Sequence, residues 1–222
     1  MGLVLKSNNI NIKIHQNKII GVMGINYDRF LVSIGGNNIS YIGKIDNFYT
    51  NNVISEINLY NNDIDSINYY LDKLMLNKDF LDKKISDLSY GEKHLLRYLI
   101  GFIRNKKIIV IDEPFLDLDY GMKKRIIFLL KEMLNNHKTI IIGSFDSDVI
   151  YSISSYVLLL SHNKHFYGDI NDVFSNNDIL SLYDIKKPQI VSFVDIIRNN
   201  KKIMIDYSND IRDLIKDVYR NV

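Results

Sequence analysis

Leu88-Ser89-Tyr90-Gly91-Glu92 opens the stretch whose reading decides the fold, and Leu118-Asp119 closes it. A helix-like run continues to Arg104, and the apolar strand Ile108-Ile109-Val110-Ile111 then delivers Asp112-Glu113-Pro114. Ligands of open α/β sheets sit at the carboxyl ends of the strands, which is where this strand places its two acids. Asp112 can hold Mg2+ there through water, and Glu113 can orient or deprotonate an attacking water. The same pair also reads as a strand end that caps the next helix. Ser89 and Gly91 at a helix start offer a hydroxyl, backbone N–H groups and the positive end of a dipole to an anion. They read alternatively as a plain cap, with Glu92 three residues on completing a capping box.

Working outward, Leu95, Leu96, Leu99, Ile100 and Ile103 line one face of the helix, with Lys93, Arg97 and Arg104 off it. Downstream, a helix is expected over about Tyr120 to Asn135, then a buried strand at Thr139-Ile140-Ile141-Ile142-Gly143. Tyr156 to Leu160 is another strand, turning at Asn163-Lys164 into His165-Phe166-Tyr167. Upstream, Ile10-Asn11-Ile12-Lys13-Ile14 alternates as a half-buried strand does, and Ile19-Ile20-Gly21-Val22-Met23-Gly24 reads as a more buried one. Ile39-Ser40-Tyr41-Ile42 is strand-like, Asn52 to Leu59 is mixed, and Ile64, Ile67, Tyr70, Leu71, Leu74 and Met75 keep helical spacing. Pro188 starts an amphipathic helix and Ile211 to Tyr219 forms the last one. Strands and helices alternating in this way predict an α/β fold, a mostly parallel sheet covered by helices.

Composition narrows the function classes. A net charge of +2 gives no electrostatic case for nucleic acid. The absence of cysteine removes thiolate catalysis, disulfides and Cys-based zinc sites. No apolar run approaches the ~20 residues that span a bilayer. The opening Met1-Gly2-Leu3-Val4-Leu5-Lys6-Ser7 has no signal-like pattern, so a cytoplasmic protein is expected.

Taken together, Leu88 to Glu92, the helix, Ile108 to Glu113 and Leu118-Asp119 resemble the nucleotide-binding domain of ABC transporters. Leu88-Ser89-Tyr90-Gly91-Glu92 looks like the signature motif, with Tyr90 for Gly and Glu92 for Gln. Ile108 to Glu113 looks like Walker B, with Glu113 in the catalytic position and Asp112 as the Mg2+ ligand, and Pro114 to Asp119 looks like the D-loop. Three motifs in the right order at the family's spacing are hard to assemble by chance. Val173-Phe174-Ser175 and the run from Ile179 to Gln189 are most similar to ATPases of energy-coupling factor (ECF) importers. The resemblance implies a P-loop NTPase-like domain over residues 1–168, a helical signature subdomain at about 52–104, and a helical C-terminal extension over 169–222. It also implies ATP and Mg2+ as cofactors.

The departures sit in the chain's own nucleotide site. Aligning a Walker A loop, G-x-x-x-x-G-K-[ST], to Gly24 places Arg29 at the second glycine, Phe30 at the lysine and Leu31 at the hydroxyl. Only Gly24 and Asn26 remain of that motif, and a slip of one residue brings Arg29 near the lysine position. Lys44 stands at the Q-loop position and Phe145 at that of the switch histidine. In the family each ATP is held between Walker A and B of one chain and the signature of the other. The resemblance therefore implies a degenerate half, paired with a competent ATPase subunit and a membrane component at the cytoplasmic face of the membrane. Ser89 and Gly91 would contact the partner's ATP in trans. Two alternatives remain open: a competent ATPase using Arg29, and a non-catalytic structural subunit.

Overall fold

In a computed structural model of the chain, Ile108–Asp112 and Thr139–Gly143 bury every one of their residues. Strands with no polar face are what a sheet covered on both sides requires. The structure describes residues 2–7, 10–43, 48–162 and 164–201, together with residues 207, 212, 215, 216 and 219. The chain runs β1 (Gly2–Ser7), β2 (Ile10–His15), β3 (Ile19–Gly24), α1 (Tyr27–Ser33), β4 (Ile39–Ile42), α2 (Val53–Asn58) and α3 (Ile64–Lys73). Two 3-10 turns, Lys78–Asp82 and Ile85–Asp87, lead to α4 (Tyr90–Ile103), β5 (Ile108–Asp112), α5 (Tyr120–Asn135), β6 (Thr139–Gly143) and α6 (Ser147–Ile153). The hairpin β7 (Tyr156–Leu160) and β8 (His165–Asp169) is followed by α7 (Ile170–Ser175), α8 (Asn177–Leu182) and α9 (Gln189–Lys201).

Six strands form one sheet in the order β4-β5-β6-β3-β7-β8, parallel throughout except for β8, which pairs antiparallel with β7. Strand periodicity divides the core between the two faces. Met23, Ile109, Ile111, Ile140, Ile142, Val157 and Leu159 join the larger cluster with α4, α5 and α6. Val22, Ile108, Val110, Ile141 and Leu158 join the smaller one, with α1 and the separate β1–β2 ribbon. The parallel, helix-covered sheet expected from the sequence is what the chain forms. Of the described residues, no helix is long and apolar enough to cross a membrane.

Three elements depart from the sequence reading. β1 pairs in register with β2 from Gly2–His15 to Ser7–Ile10, α2 forms inside the mixed stretch, and α6 follows Phe145. The Asn163 end of the hairpin turn lies outside the described residues, as does most of the expected helix from Ile211 to Tyr219. Ser161 N–H still donates to the Lys164 carbonyl across that turn, at 2.9 Å.

Gly101 shows how closely α4 lies on the sheet edge. A Cβ there would stand 2.4 Å from both Cγ1 and Cδ1 of Ile42, and the Ser40 hydroxyl donates to the Gly101 carbonyl at 2.8 Å. Gly101→Ala gains about 1 kcal/mol of helix propensity but overpacks a buried contact, at a cost of about 1–3 kcal/mol. The variant is expected to unfold at a lower urea concentration than the parent, with an unchanged dependence on denaturant.

Candidate functional site

Only Ile25 and Asn26 separate β3 from α1. Gly24 is required at the bend, because its φ is +102° and a Cβ would lie 2.1 Å from the Leu160 carbonyl oxygen. Ile25 N–H donates to that same carbonyl at 3.0 Å. Asn26, at φ 59°, is a residue type that tolerates the left-handed region, and it turns the chain directly into the helix. Tyr27, Phe30, Leu31 and Ile34 then share a buried face at spacings of three and four residues, while Arg29 is exposed. Phe30 and Leu31, at the lysine and hydroxyl positions of the phosphate-loop alignment, are packed into the smaller core cluster.

Tyr27 crosses the end of the neighbouring strand β6 to reach β5. Its ring lies where Gly143 has no side chain, since a Cβ there would come within 2.6 Å of ring carbons Cδ2 and Cε2. Phe145 meets the ring edge-on, with centroids 4.6 Å apart. The phenol donates to Glu113 Oε1 at 2.7 Å. Burial, reinforced by the Glu113 carboxylate, pushes this phenol far above the usual tyrosine range. Glu113 follows β5 with a left-handed φ of 50°, a costly conformation for a glutamate, and its N–H donates to the Gly143 carbonyl at 2.8 Å. Its carboxylate also accepts the Ser144 hydroxyl at 2.8 Å and the Phe145 N–H at 3.1 Å. Asp112 is 6% exposed at the strand end. Tyr41 faces it from β4, and burial and then the Asp112 charge push the Tyr41 phenol up to about 12.

These residues do not fit a triphosphate with its magnesium. Phosphate loops cradle anions in successive free N–H groups backed by a lysine. Here the turn has two residues and its N–H of Ile25 is taken by Leu160, and a phenol stands on the glutamate. The cavity of about 500 Å3 beside Glu113 is lined by Asp117, Asp146 and Glu113 against Lys123, an unfavourable balance for phosphate. Among the described residues no group of three or more His, Cys, Asp or Glu is placed to hold a metal ion.

The second half of the site lies at the start of α4. Ser89 is its N-cap, and the capping box is complete: Ser89 Oγ accepts from Glu92 N–H at 3.2 Å, and Glu92 Oε2 accepts from Ser89 N–H at 2.8 Å. Lys83 donates to the other Glu92 oxygen at 2.7 Å. That bond first, and then the one from Ser89, holds the Glu92 carboxyl below its usual range. The cap leaves the Ser89 hydroxyl proton free to donate, since the oxygen is used as an acceptor. Leu88 is buried and anchors the turn, whereas Ser89 and Tyr90 are exposed. At Gly91 a Cβ would find, among the described residues, only Met122, no closer than 3.6 Å, so none of them demands a glycine there. Met122 belongs to the first turn of α5, whose N-cap is Asp119, accepting the Met122 N–H at 2.8 Å. The fold thus sets the Ser89–Gly91 start of α4 against the Met122 turn that Asp119 caps, while Asp112 and Glu113 face Tyr27, which follows Gly24 and Asn26 in the chain. Lys44 lies outside the described residues. Phe145 is 70% exposed at the rim of the cavity beside Glu113.

Tyr27, Tyr41 and Ser144 were not singled out by sequence reasoning, and all three contact the acids of β5 or face them. The helical spacing of Tyr27, Phe30, Leu31 and Ile34 was the available signal.

A family model described as "AAA domain, putative AbiEii toxin, Type IV TA system" matches residues 6–144. An uncharacterized ABC transporter ATP-binding protein of Methanocaldococcus jannaschii is 35% identical over 112 residues, 49% of this chain and 41% of that protein. The energy-coupling factor transporter ATP-binding protein EcfA2 of Mycoplasmoides gallisepticum is 26% identical over 161 residues, 69% of this chain and 51% of that one. The chain therefore spans about half the length of the curated relatives it matches. Among solved structures, cbiO1 of Clostridium perfringens, part of the ABC transporter complex cbiONQ, superposes with a TM-score of 0.60 at 16% identity. That match covers 84% of this chain and 90% of cbiO1, and it establishes a shared fold.

Proposed function

We propose, from the premise that this chain belongs to the AAA-domain family matched over residues 6–144, that it is the ATP-binding subunit of an ABC-type transporter of the energy-coupling factor kind. Within that role it is a degenerate half, which completes the ATP site of a competent partner subunit through its signature turn. One observation carries the reading. The start of α4 is exposed at Ser89 and, at the half-buried Gly91, faces Met122 in the turn that Asp119 caps, whereas the turn after β3 is closed down onto Glu113 by Tyr27. In this arrangement ATP and Mg2+ are held mainly by the partner. Ser89 and the first N–H groups of α4 offer the charge-assisted donors that an anion needs. Asp119, fixed as the cap of α5, couples the two sites. The pair attaches to a membrane component at its cytoplasmic face. The matches to transporter ATP-binding proteins and to a subunit of a transporter complex support this.

Autonomous hydrolysis would need Arg29 to stand in for the phosphate-loop lysine. Arg29 is exposed on α1, and a guanidinium does not replace an ammonium inside a tight loop. The experiment is to mix this chain with its partner ATPase and measure the steady-state rate of ATP hydrolysis. Ser89→Arg should lower it strongly. A rate unchanged by Ser89→Arg and abolished by Glu113→Gln would reverse the roles assigned to the two ends of the site.

A further inference from the structure

We infer that Tyr27 is the resident occupant of the chain's own phosphate site, a phenol that replaces the ligand on Glu113 and keeps that site shut to nucleotide. This rests on the reading of the fold given above, and it goes further by naming what closes the site. The residue most out of place is Tyr27. A tyrosine at the first position of a helix ordinarily turns outward, yet this one has no exposed surface and spans two strands to meet a carboxylate.

Three local features make room for it and hold it. Gly143 leaves the space for the ring, which any side chain there would close. Phe145 covers the ring at 4.6 Å, in the edge-on geometry that aromatic pairs favour. Glu113 supplies the acceptor at 2.7 Å from a left-handed backbone, and that carboxylate is itself held by Ser144 and by the Phe145 N–H. A half-buried carboxylate with these donors is satisfied, and a water or a phosphoryl oxygen brought to it would have to displace a hydrogen bond between a buried phenol and a charged group. The loop is consistent with this occupancy. With only two residues between β3 and α1, no length of backbone remains to wrap a β-phosphate. Phe30 and Leu31 hold α1 down by their burial. Tyr41 extends the arrangement to the neighbouring acid, so that each carboxylate at the end of β5 faces a phenol. The glutamate of a hydrolytic site has here become the acceptor of an internal latch.

The test uses the full-length chain alone, followed by its thermal midpoint. Millimolar Mg-ATP should leave the midpoint of the parent chain unchanged, because ligands stabilise only the folded states they can enter. A saturable rise with Mg-ATP overturns the proposal. Tyr27→Phe keeps the ring and removes only the donor, so it should fold and lower the midpoint by roughly 3–10 °C. Glu113→Ala should lower it as well, and Glu113→Met, which keeps the length of the side chain and removes both oxygens, serves in its place if the alanine variant does not fold. The double variant should fall within about 2 °C of the more damaging single change, because both remove the same bond. Losses that simply add would mean that the bond is not a unit, and would overturn the latch. The outcomes separate from those of the partner experiment. A silent Ser89→Arg in the assembled pair would sink the trans role and leave the latch standing, whereas additive losses at Tyr27 and Glu113 would do the reverse.

Discussion

Ser89→Arg in this chain is expected to lower the ATPase rate of the assembled pair by about 100-fold, with little change in how the chain itself folds. The magnitude follows from what the residue would remove. A group that donates to a developing charge from a fixed position contributes about 100- to 1,000-fold when deleted, and displacing neighbouring groups by about 1 Å costs a similar factor. Arginine does both, since it takes away the hydroxyl and puts a long side chain on the exposed surface at position 89. Its positive charge does not rescue the effect, because it cannot enter the space of the hydroxyl without pushing the two chains apart. The structural part of the loss is separable. Ser89 Oγ accepts one capping bond from Glu92 N–H, and losing an N-cap costs about 1 kcal/mol of stability. Urea unfolding of the single chain should register that cost and no more. Ser89→Thr, which keeps both the cap and the hydroxyl, should stay within a few-fold of the parent in the pair. If the threonine and arginine variants hydrolyse ATP at the same rate, Ser89 does not touch the nucleotide.

The residues that decide the fold are legible for a physical reason. Ile108-Ile109-Val110-Ile111 and Thr139-Ile140-Ile141-Ile142 are uninterrupted because helices cover both sides of the sheet, so neither strand has a face left for polar residues. α4 and α5 are long enough, at 14 and 16 residues, for a stripe to repeat several times. α6 has seven residues and begins where Asp146 accepts from Asp148 N–H and Val149 N–H, so its signal is a cap and not a stripe. α2 is shorter still, and two of its three buried residues are apolar while the third is Glu56. A pattern that equates buried with hydrophobic misses such a helix.

The site divides in the same way. The acids of β5 and the cap at Ser89 stand out because residue type and position agree there. Tyr27 is invisible to a motif comparison for a different reason. Laying G-x-x-x-x-G-K-[ST] over Gly24 compares residue identities at fixed positions and assumes that a loop exists to carry them. Here two residues join β3 directly to α1, so Tyr27 and Asp28 are not loop positions but the first turn of α1. Once helix is assumed, Tyr27, Phe30, Leu31 and Ile34 fall on one apolar face. The partner of that face, a glutamate 86 residues away, is a tertiary contact that no local pattern encodes.

Glu56→Ala should be among the more damaging substitutions of a polar residue, lowering stability by about 1–3 kcal/mol. Glu56 is 1% exposed, on α2. Its Oε2 accepts from Tyr49 N–H at 2.9 Å, Thr50 N–H at 2.8 Å and the Thr50 hydroxyl at 3.1 Å. Truncation strips one acceptor from three donors at once; the Tyr49 backbone belongs to an exposed residue and the Thr50 hydroxyl keeps the Asn52 carbonyl at 3.0 Å, so the cost falls mainly on the half-buried Thr50 N–H and on the space left by a buried side chain. The loop so held forms one wall of a cavity of about 410 Å3, which Phe48, Tyr49, Arg97 and Arg104 also line. Releasing Tyr49 and Thr50 would leave the Phe48 side, where Arg97 stacks at 5.9 Å, without its tether to α2. For a chain of this size the loss corresponds to a fall in melting temperature of about 2–12 °C. Glu56→Gln keeps one carbonyl oxygen and about the same volume, so it should retain the larger part of the stability. A glutamine variant as unstable as the alanine one would mean that the charge, and not the accepting geometry, fixes the loop. An alanine variant that melts with the parent would mean that residues 49 and 50 are held by something other than Glu56.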